Sequence, residues 1–482
     1  MKLLHKNSLS GIAQLGLTAT LTFFSIPIFI RMLGAEAYGA FSIVTLAGNL
    51  NIFANLGLNT ALLKFLSVQG KSKESDYDIA VTLGLLLLIM VPLTILALVF
   101  QASILQGMLG LSDELYAQVV TMYRCVVAAN LVILLGQTFT TILDSQQRMY
   151  LTNFYQLIYS VLYWGGLITV VSLGYGLNEV GMVILGTGII WFGLVAVAAW
   201  RMWGSLQLGG LVAETSRIAR KQLAFGSNVY AAGLLTMLFE PMTKVLVSRL
   251  IGVTEVGYLE IAYKIRSQLW ALVNKVTYPL FPRIARETDR AQLSRIISSY
   301  QTGMLLLMIP LLLFISLTMR DIIAIWLPTA NPVVAMATLC ISATFIINSL
   351  SIPPYYFLAS RHHVGKTVWV QFTNVSVSLL VGLLTYRTLG VYGFVLGNSA
   401  AILSSLFLCL YYQRRYLEQW QLDMSQLRSL LVVVVPIGIL AVLASLWLSD
   451  VWLRLGVVST LIALGYLLFL RRSYKTLQAL SV

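Results

Sequence analysis

The chain has 482 residues, of which 58% are hydrophobic and 10% charged, against roughly 25% charged in an ordinary soluble domain. A protein of this length could not hide so much apolar surface in water, and a mean hydropathy of +0.84 agrees, so soluble enzymes and globular binding modules are excluded. The net charge of +14 would point to nucleic acid on a soluble protein; here it is first a topology signal, and no nucleic-acid partner is expected.

A helix that crosses the hydrocarbon core needs about 20 mostly apolar residues. In chain order, such runs are predicted at 9–30, 39–63, 79–100, 117–142, 151–173, 179–202, 223–247, 256–281, 298–319, 332–358, 367–386, 391–412, 429–448 and 451–470. The expected fold class is an all-α polytopic membrane protein with about 14 transmembrane helices. The first run is too long for a signal h-region and no small-residue cleavage site follows it, so a retained span is expected, with no soluble domain at either end. The ends of the even-numbered spans, together with the N-terminus, carry 22 of the 32 Lys and Arg residues; the opposite loops carry 5, namely Arg31, Arg249, Arg320, Arg387 and Arg454. By the positive-inside rule both termini are expected in the cytoplasm, which requires an even number of spans.

The chain also repeats itself. Arg31-Met32-Leu33-Gly34 followed by Gly39 recurs as Arg249-Leu250-Ile251-Gly252 followed by Gly257, 218 residues on. Pro92 recurs as Pro310 at the same offset, Gln156 as Gln371 at 215, and Leu173-Gly174 as Leu389-Gly390 at 216. A nearly constant offset over separated places predicts two copies of a six-helix unit, and because six is even the copies run parallel. The predicted organisation is an N-terminal lobe at 1–203, an inter-lobe linker at 204–222, a C-terminal lobe at 223–415, and two further helices with a tail at 416–482. Facing lobes of this kind make transporters that alternate access around a central site. The linker, with Arg217, Arg220 and Lys221 among apolar residues, reads equally as a membrane-surface segment and as a solvated connection.

Two six-helix lobes, the Arg-x-Leu-Gly turn at Arg31–Gly34, the Leu-Gly turn at Leu173-Gly174 and the extra helix pair resemble the multidrug/oligosaccharidyl-lipid/polysaccharide (MOP) exporter superfamily. The stretch from Ser10-Gly11 through Ala35-Glu36-Ala37-Tyr38-Gly39, and a polar second helix with Asn49, Asn51, Asn55, Gly57 and Asn59, are similar to the polysaccharide transporter branch, the O-antigen repeat-unit (Wzx-type) flippases. The resemblance implies a non-enzymatic flippase of the bacterial inner membrane. Its substrate would be an undecaprenyl-diphosphate-linked oligosaccharide, carried from the cytoplasmic to the periplasmic leaflet by alternating access, beside polysaccharide polymerase and chain-length machinery. Related branches flip lipid II or export drugs. The lipid II branch carries arginines within its first two helices, whereas spans 1 and 2 here hold none.

Five basic residues fall inside predicted spans: Arg124, Lys244, Lys264, Arg266 and Lys275. A charge at the bilayer centre costs about 3 kcal/mol, so such residues face a cavity or a partner. Their repeat counterparts are Leu339, Ile26, Leu46, Gly48 and Gly57, none charged, so the fold does not require them. Under the resemblance they would line a cationic cavity for the diphosphate, with Lys275 equally able to snorkel to the interface. Gln14, Asn51, Asn55, Tyr263, Gln268, Trp270 and Asn274 would meet the sugars, the alternative being interhelical packing. Glu240 and Glu260 stand four residues before Lys244 and Lys264. They read either as simple ion-pair partners or as titrating groups for coupling to H+ or Na+. A drug exporter is the rival reading, but it would need acidic groups to dominate.

No cofactor or metal is expected. Gly70-Lys71-Ser72 and Gly365-Lys366-Thr367 lack the glycine that a phosphate loop needs five residues earlier. Asp76-Tyr77-Asp78 reads as a solvated acidic turn, His362-His363 point different ways on a helix, and Cys125, Cys340 and Cys409 read as small buried residues.

Overall fold

The computed structural model describes residues 2–49, 55–277, 280, 284, 287, 289–327, 332–360, 364–417 and 424–480; of these, residues 2–5, 8, 12, 227–237, 272, 274–276, 360, 364 and 472–480 are described as backbone only. All regular structure among them is helical, and eleven stretches are long and apolar enough to cross a membrane. The chain is an all-α polytopic membrane protein, in two compact units, 1–257 and 258–482.

The first unit contains α1 (Lys2–Gly48), α2 (Leu58–Gln69), α3 (Lys73–Val99), α4 (Asp113–Ser145), α5 (Met149–Ser172), α6 (Leu177–Trp203), α7 (Leu211–Leu250) and the start of α8 (Val253–Thr277). The second contains the rest of α8, then α9 (Arg290–Trp326), α10 (Pro332–Asn348), α11 (Ile352–Ser360), α12 (Val364–Leu389), α13 (Val391–Tyr416), α14 (Met424–Trp447) and α15 (Val451–Leu480). Predicted spans 2, 7 and 8 are the three outside the apolar set. Residues 50–54 of span 2 lie outside the described residues; before them it forms the end of α1, and after left-handed Leu56 and Gly57 it forms α2. Span 7 lies in α7, and span 8 lies in α8, where Glu255, Glu260, Lys264 and Arg266 dilute the apolar run. Helix starts follow capping chemistry: Ser72 Oγ accepts from Ser75 N (3.2 Å), Ser112 Oγ from Leu115 N (3.3 Å) and Asp289 Oδ1 from Ala291 N (3.0 Å).

The sequence repeat reappears helix by helix. α3 and α9 begin at Lys73 and Arg290, 217 apart; α4 and α10 at Asp113 and Pro332, 219 apart; α5 and α12 at Met149 and Val364, 215 apart. The matched glycines share a backbone state that only glycine adopts freely: Gly34 and Gly252 have φ of 88° and 153°, Gly174 and Gly390 φ of 84° and 57°. Gly34 is non-helical, so the stretch Lys2–Gly48 is two helices joined across a kink. Repeat-related Gly39 and Gly257 also touch. A Cβ built on Gly39 would lie 2.0 Å from the Val253 carbonyl oxygen, and one on Gly257 2.9 Å from that of Ala35.

Close helix approach through small residues holds each unit, as expected where lipid removes the hydrophobic drive between helices. In the first, the Trp191 ring of α6 occupies the space a Cβ on Gly136 of α4 would need. In the second, a Cβ on Gly397 of α13 would lie 2.6 Å from the Ser378 carbonyl oxygen of α12. Helices α14 and α15 join α9 through Leu306, Leu430, Val434 and Phe469, and through a two-pronged ion pair in which Arg454 Nε donates to Asp321 Oδ2 at 2.6 Å.

Residues 204–222, read from sequence as a linker, are neither free nor solvated throughout: α7 begins at Leu211, and buried Ile218 packs with Tyr77 and Val81 of α3. The Asp76-Tyr77-Asp78 turn, expected to be solvated, is buried, with Asp76 1% and Asp78 0% exposed. Asp76 accepts from Lys71 Nζ (2.6 Å), Trp203 Nε1 (2.7 Å) and Gln207 N (2.9 Å). Asp78 accepts from Lys221 Nζ (3.2 Å) and Gln222 Nε2 (3.1 Å), and the Tyr77 hydroxyl bonds the Gly209 carbonyl. Two carboxylates can be buried here because lysines neutralise them and amide and indole N–H groups fill their remaining lone pairs. This clasp binds the ends of α2, α3, α6 and α7.

Candidate functional site

The charged candidates sit on α4, α7 and α8. On α7, Lys244 is buried and pairs with Glu240 at 2.7 Å; on α8, half-exposed Lys264 pairs with Glu260 at 3.4 Å. Both are the i,i+4 pairs that the spacing allowed. One turn along α8, the Arg266 guanidinium lies over the Tyr263 ring, 5.0 Å from its centroid. The Tyr263 hydroxyl meets Asn398 Nδ2 of α13, and Asn398 Oδ1 accepts from Ser378 Oγ of α12 at 2.8 Å. This buried chain fixes the ring on which Arg266 rests; Lys264, two residues earlier, lies on a different face of α8.

Other candidates are placed differently. Arg124 is exposed and donates from Nε to Gln101 Oε1 (2.8 Å), just past the end of α3, so its recorded partner is interfacial. Asn55 Oδ1 accepts from Asn59 N at 3.3 Å in the first turn of α2. Asn59 in turn accepts from Thr138 Oγ1 of α4 at 3.0 Å. Gln14 donates to Thr18 Oγ1 (3.3 Å), which shares a 2.9 Å hydrogen bond with Ser160 of α5. Trp270 is exposed and meets Phe345 of α10 edge to face at 5.3 Å; Gln268 is exposed. Asn51 and the side chains of Asn274 and Lys275 lie outside the described residues. The structure thus brings together Lys264 with Glu260 and Arg266 with Tyr263 on α8, Glu240 with Lys244 on α7, and Gln14 with Thr18 on α1.

Sequence reasoning missed two polar groupings. The clasp was hidden because Trp203, Gln207, Lys221 and Gln222 are far from Asp76 and Asp78 in the chain. A tyrosine row on α5, Tyr159 and Tyr163 with ring centroids 5.7 Å apart, was visible as spacing but reads equally as a membrane-interface belt. Among the described residues no group of three or more His, Cys, Asp or Glu is arranged to hold a metal ion.

The profile of a family described as "Polysaccharide biosynthesis protein" matches residues 4–287. Among curated proteins, none matches this sequence. Among solved structures, the chain is similar to a lipid II flippase, MurJ, in an inward closed conformation: 14% identity, 97% of this chain and 99% of that one covered, TM-score 0.78. It is also similar to the Vibrio cholerae MATE transporter VcmN in a mutant form (15% identity, 85% and 98% covered, TM-score 0.54). A third likeness is to an MOP superfamily transporter from Pyrococcus furiosus (14% identity, 86% and 96% covered, TM-score 0.52). At these identities the likeness carries the fold and not the substrate.

Proposed function

From its membership of the polysaccharide biosynthesis protein family, to which this chain belongs, we propose that it is a flippase. It carries undecaprenyl-diphosphate-linked oligosaccharide repeat units, of an O-antigen or related surface polysaccharide, from the cytoplasmic to the periplasmic leaflet of a bacterial inner membrane. Both termini lie in the cytoplasm, and access alternates. The observation that carries this reading is the pair of cations on α8: Lys264 and Arg266 are part-exposed, at positions whose repeat counterparts are uncharged. A diphosphate is the natural partner, since guanidinium bonds it in two-pronged fashion and ammonium adds point charge. A cationic drug would be repelled there.

With the cytoplasm negative, outward movement of an anion is favoured by about 2.3 kcal/mol per charge per 100 mV. Return of the empty carrier would draw on a proton or sodium gradient through Glu240 or Glu260. In cells depleted of this protein, lipid-linked repeat units should accumulate out of reach of an external lectin. Lys264→Ala/Arg266→Ala should fail to relieve that accumulation, with the rate of glycan exposure down about tenfold or more, the scale of losing charge-assisted bonds worth at least 1.4 kcal/mol. Full relief by a double variant expressed at wild-type level would remove α8 from the site.

A further inference from the structure

Helix α5 has an internal row that neither packing nor lipid explains. Inside its first and last turns the exposed residues of α5 are Phe154, Val161, Leu162 and Thr169, and they mark one side, the outer side, where lipid would lie. Its buried residues, Ser160, Leu167 and Val171, mark another, where Ser160 meets Thr18 of α1. Gly166 fixes a third direction, since a Cβ there would lie 2.7 Å from Val183 of α6. At about 100° per residue, Gln156 and Tyr163 fall opposite the lipid side, with Tyr159 beside them, between the lines of contact with α1 and α6. Side chains in that position would be sealed if the unit were packed solid, yet all three are only half-buried. Their remaining accessibility therefore opens into the unit, not to lipid.

The chemistry of the row is that of a sugar site. Tyr159 and Tyr163 present adjoining rings at 33°, and the Trp191 indole of α6 backs Tyr159 at 5.8 Å. Among the described residues the Tyr159 hydroxyl makes no hydrogen bond and the buried Trp191 Nε1–H has no hydrogen-bond partner. Aromatic faces with a few polar groups at their edges suit a ligand that alternates C–H faces with hydroxyls. We propose that Gln156, Tyr159 and Tyr163 form the platform on which the sugar residues of the lipid-linked substrate lie. This rests on the flippase reading and adds to it: the glycan is read in the first unit, by stacking, separately from the cationic residues of α8.

The test uses the full chain in nanodiscs and two probes, undecaprenyl diphosphate bearing a tetrasaccharide and undecaprenyl diphosphate without sugar. For Tyr159→Ala/Tyr163→Ala, Kd for the glycolipid should rise about tenfold or more, while Kd for the bare lipid stays within about twofold. Tyr159→Phe/Tyr163→Phe, which keeps the ring faces, should stay within about threefold of wild type for both. Unchanged binding of the bare lipid doubles as the check that the alanine variant is folded. Equal losses for the two probes, or no loss for either, would overturn the platform while leaving the flippase reading intact. Failure of wild type to bind either probe would overturn both.

Discussion

Asp78→Ala should lower the thermal unfolding midpoint of the solubilised protein more than any exposed-charge substitution, through a loss of about 3 kcal/mol, the lower end for breaking a buried pair. Asp78 is fully buried, and its removal strips an acceptor from Gln222 Nε2, itself fully buried, and one carboxylate from Lys221. Lys221 keeps Glu74 at 3.2 Å, which holds the loss below the upper end of that range. Asp78→Asn, which retains an acceptor for Gln222, should lie between wild type and alanine. Glu214→Ala is the contrast: it breaks an ion pair with Arg217 in which both side chains are exposed and solvent-screened, and should leave the midpoint close to that of wild type. Scanning fluorimetry of the four proteins gives the order. A midpoint for Asp78→Ala equal to that of Glu214→Ala would contradict the clasp.

Gly39→Ala should be comparably damaging, and for a different reason. The added methyl would lie 2.0 Å from the Val253 carbonyl oxygen and 3.1 Å from Gly257 N, so only a shift of backbone against backbone makes room. Overpacking of this kind costs about 3 kcal/mol where no flexible side chain can give way. Gly257→Ala, at 2.9 Å from the Ala35 carbonyl oxygen, should be milder. Gly84→Ala on α3, where nothing lies within 4 Å, should be neutral or slightly stabilising, since alanine is the better helix former. Melting midpoints ranked Gly84→Ala, Gly257→Ala, Gly39→Ala in falling order support the contact; a Gly39→Ala midpoint at the wild-type value would exclude it.

Much of this architecture is written locally. Long apolar runs must be helices in lipid because every backbone N–H and C=O needs a partner within the segment. The matched glycines betray the repeat because a left-handed turn admits little else, as the shared positive φ of Gly34 with Gly252 and of Gly174 with Gly390 bears out. The i,i+4 spacing of Glu240 with Lys244 and of Glu260 with Lys264 was enough to give their pairing. What could not be read depended on which helices become neighbours. Asp76 and Asp78 look solvated until the residues from Trp203 to Gln222 are laid against them. The left-handed backbone of Leu56 and Gly57 in the second span has no signal in the sequence stronger than one glycine in an apolar run. Arg124 looked unpartnered because Gln101 lies 23 residues away, on the far side of a loop. The direction of the α5 tyrosines required knowing which side of the helix lipid covers.

Transport across a bilayer is the most direct test of the whole account. Purified protein reconstituted into liposomes with an undecaprenyl-diphosphate oligosaccharide should raise, with time, the fraction of glycan that an impermeant glycosidase can cleave. That fraction starts near one half for lipid distributed over both leaflets and should approach completion, while protein-free liposomes stay at the starting value. Folded wild-type protein that leaves the protected half untouched, across several glycans, would contradict the assignment of this chain as a flippase of lipid-linked oligosaccharides.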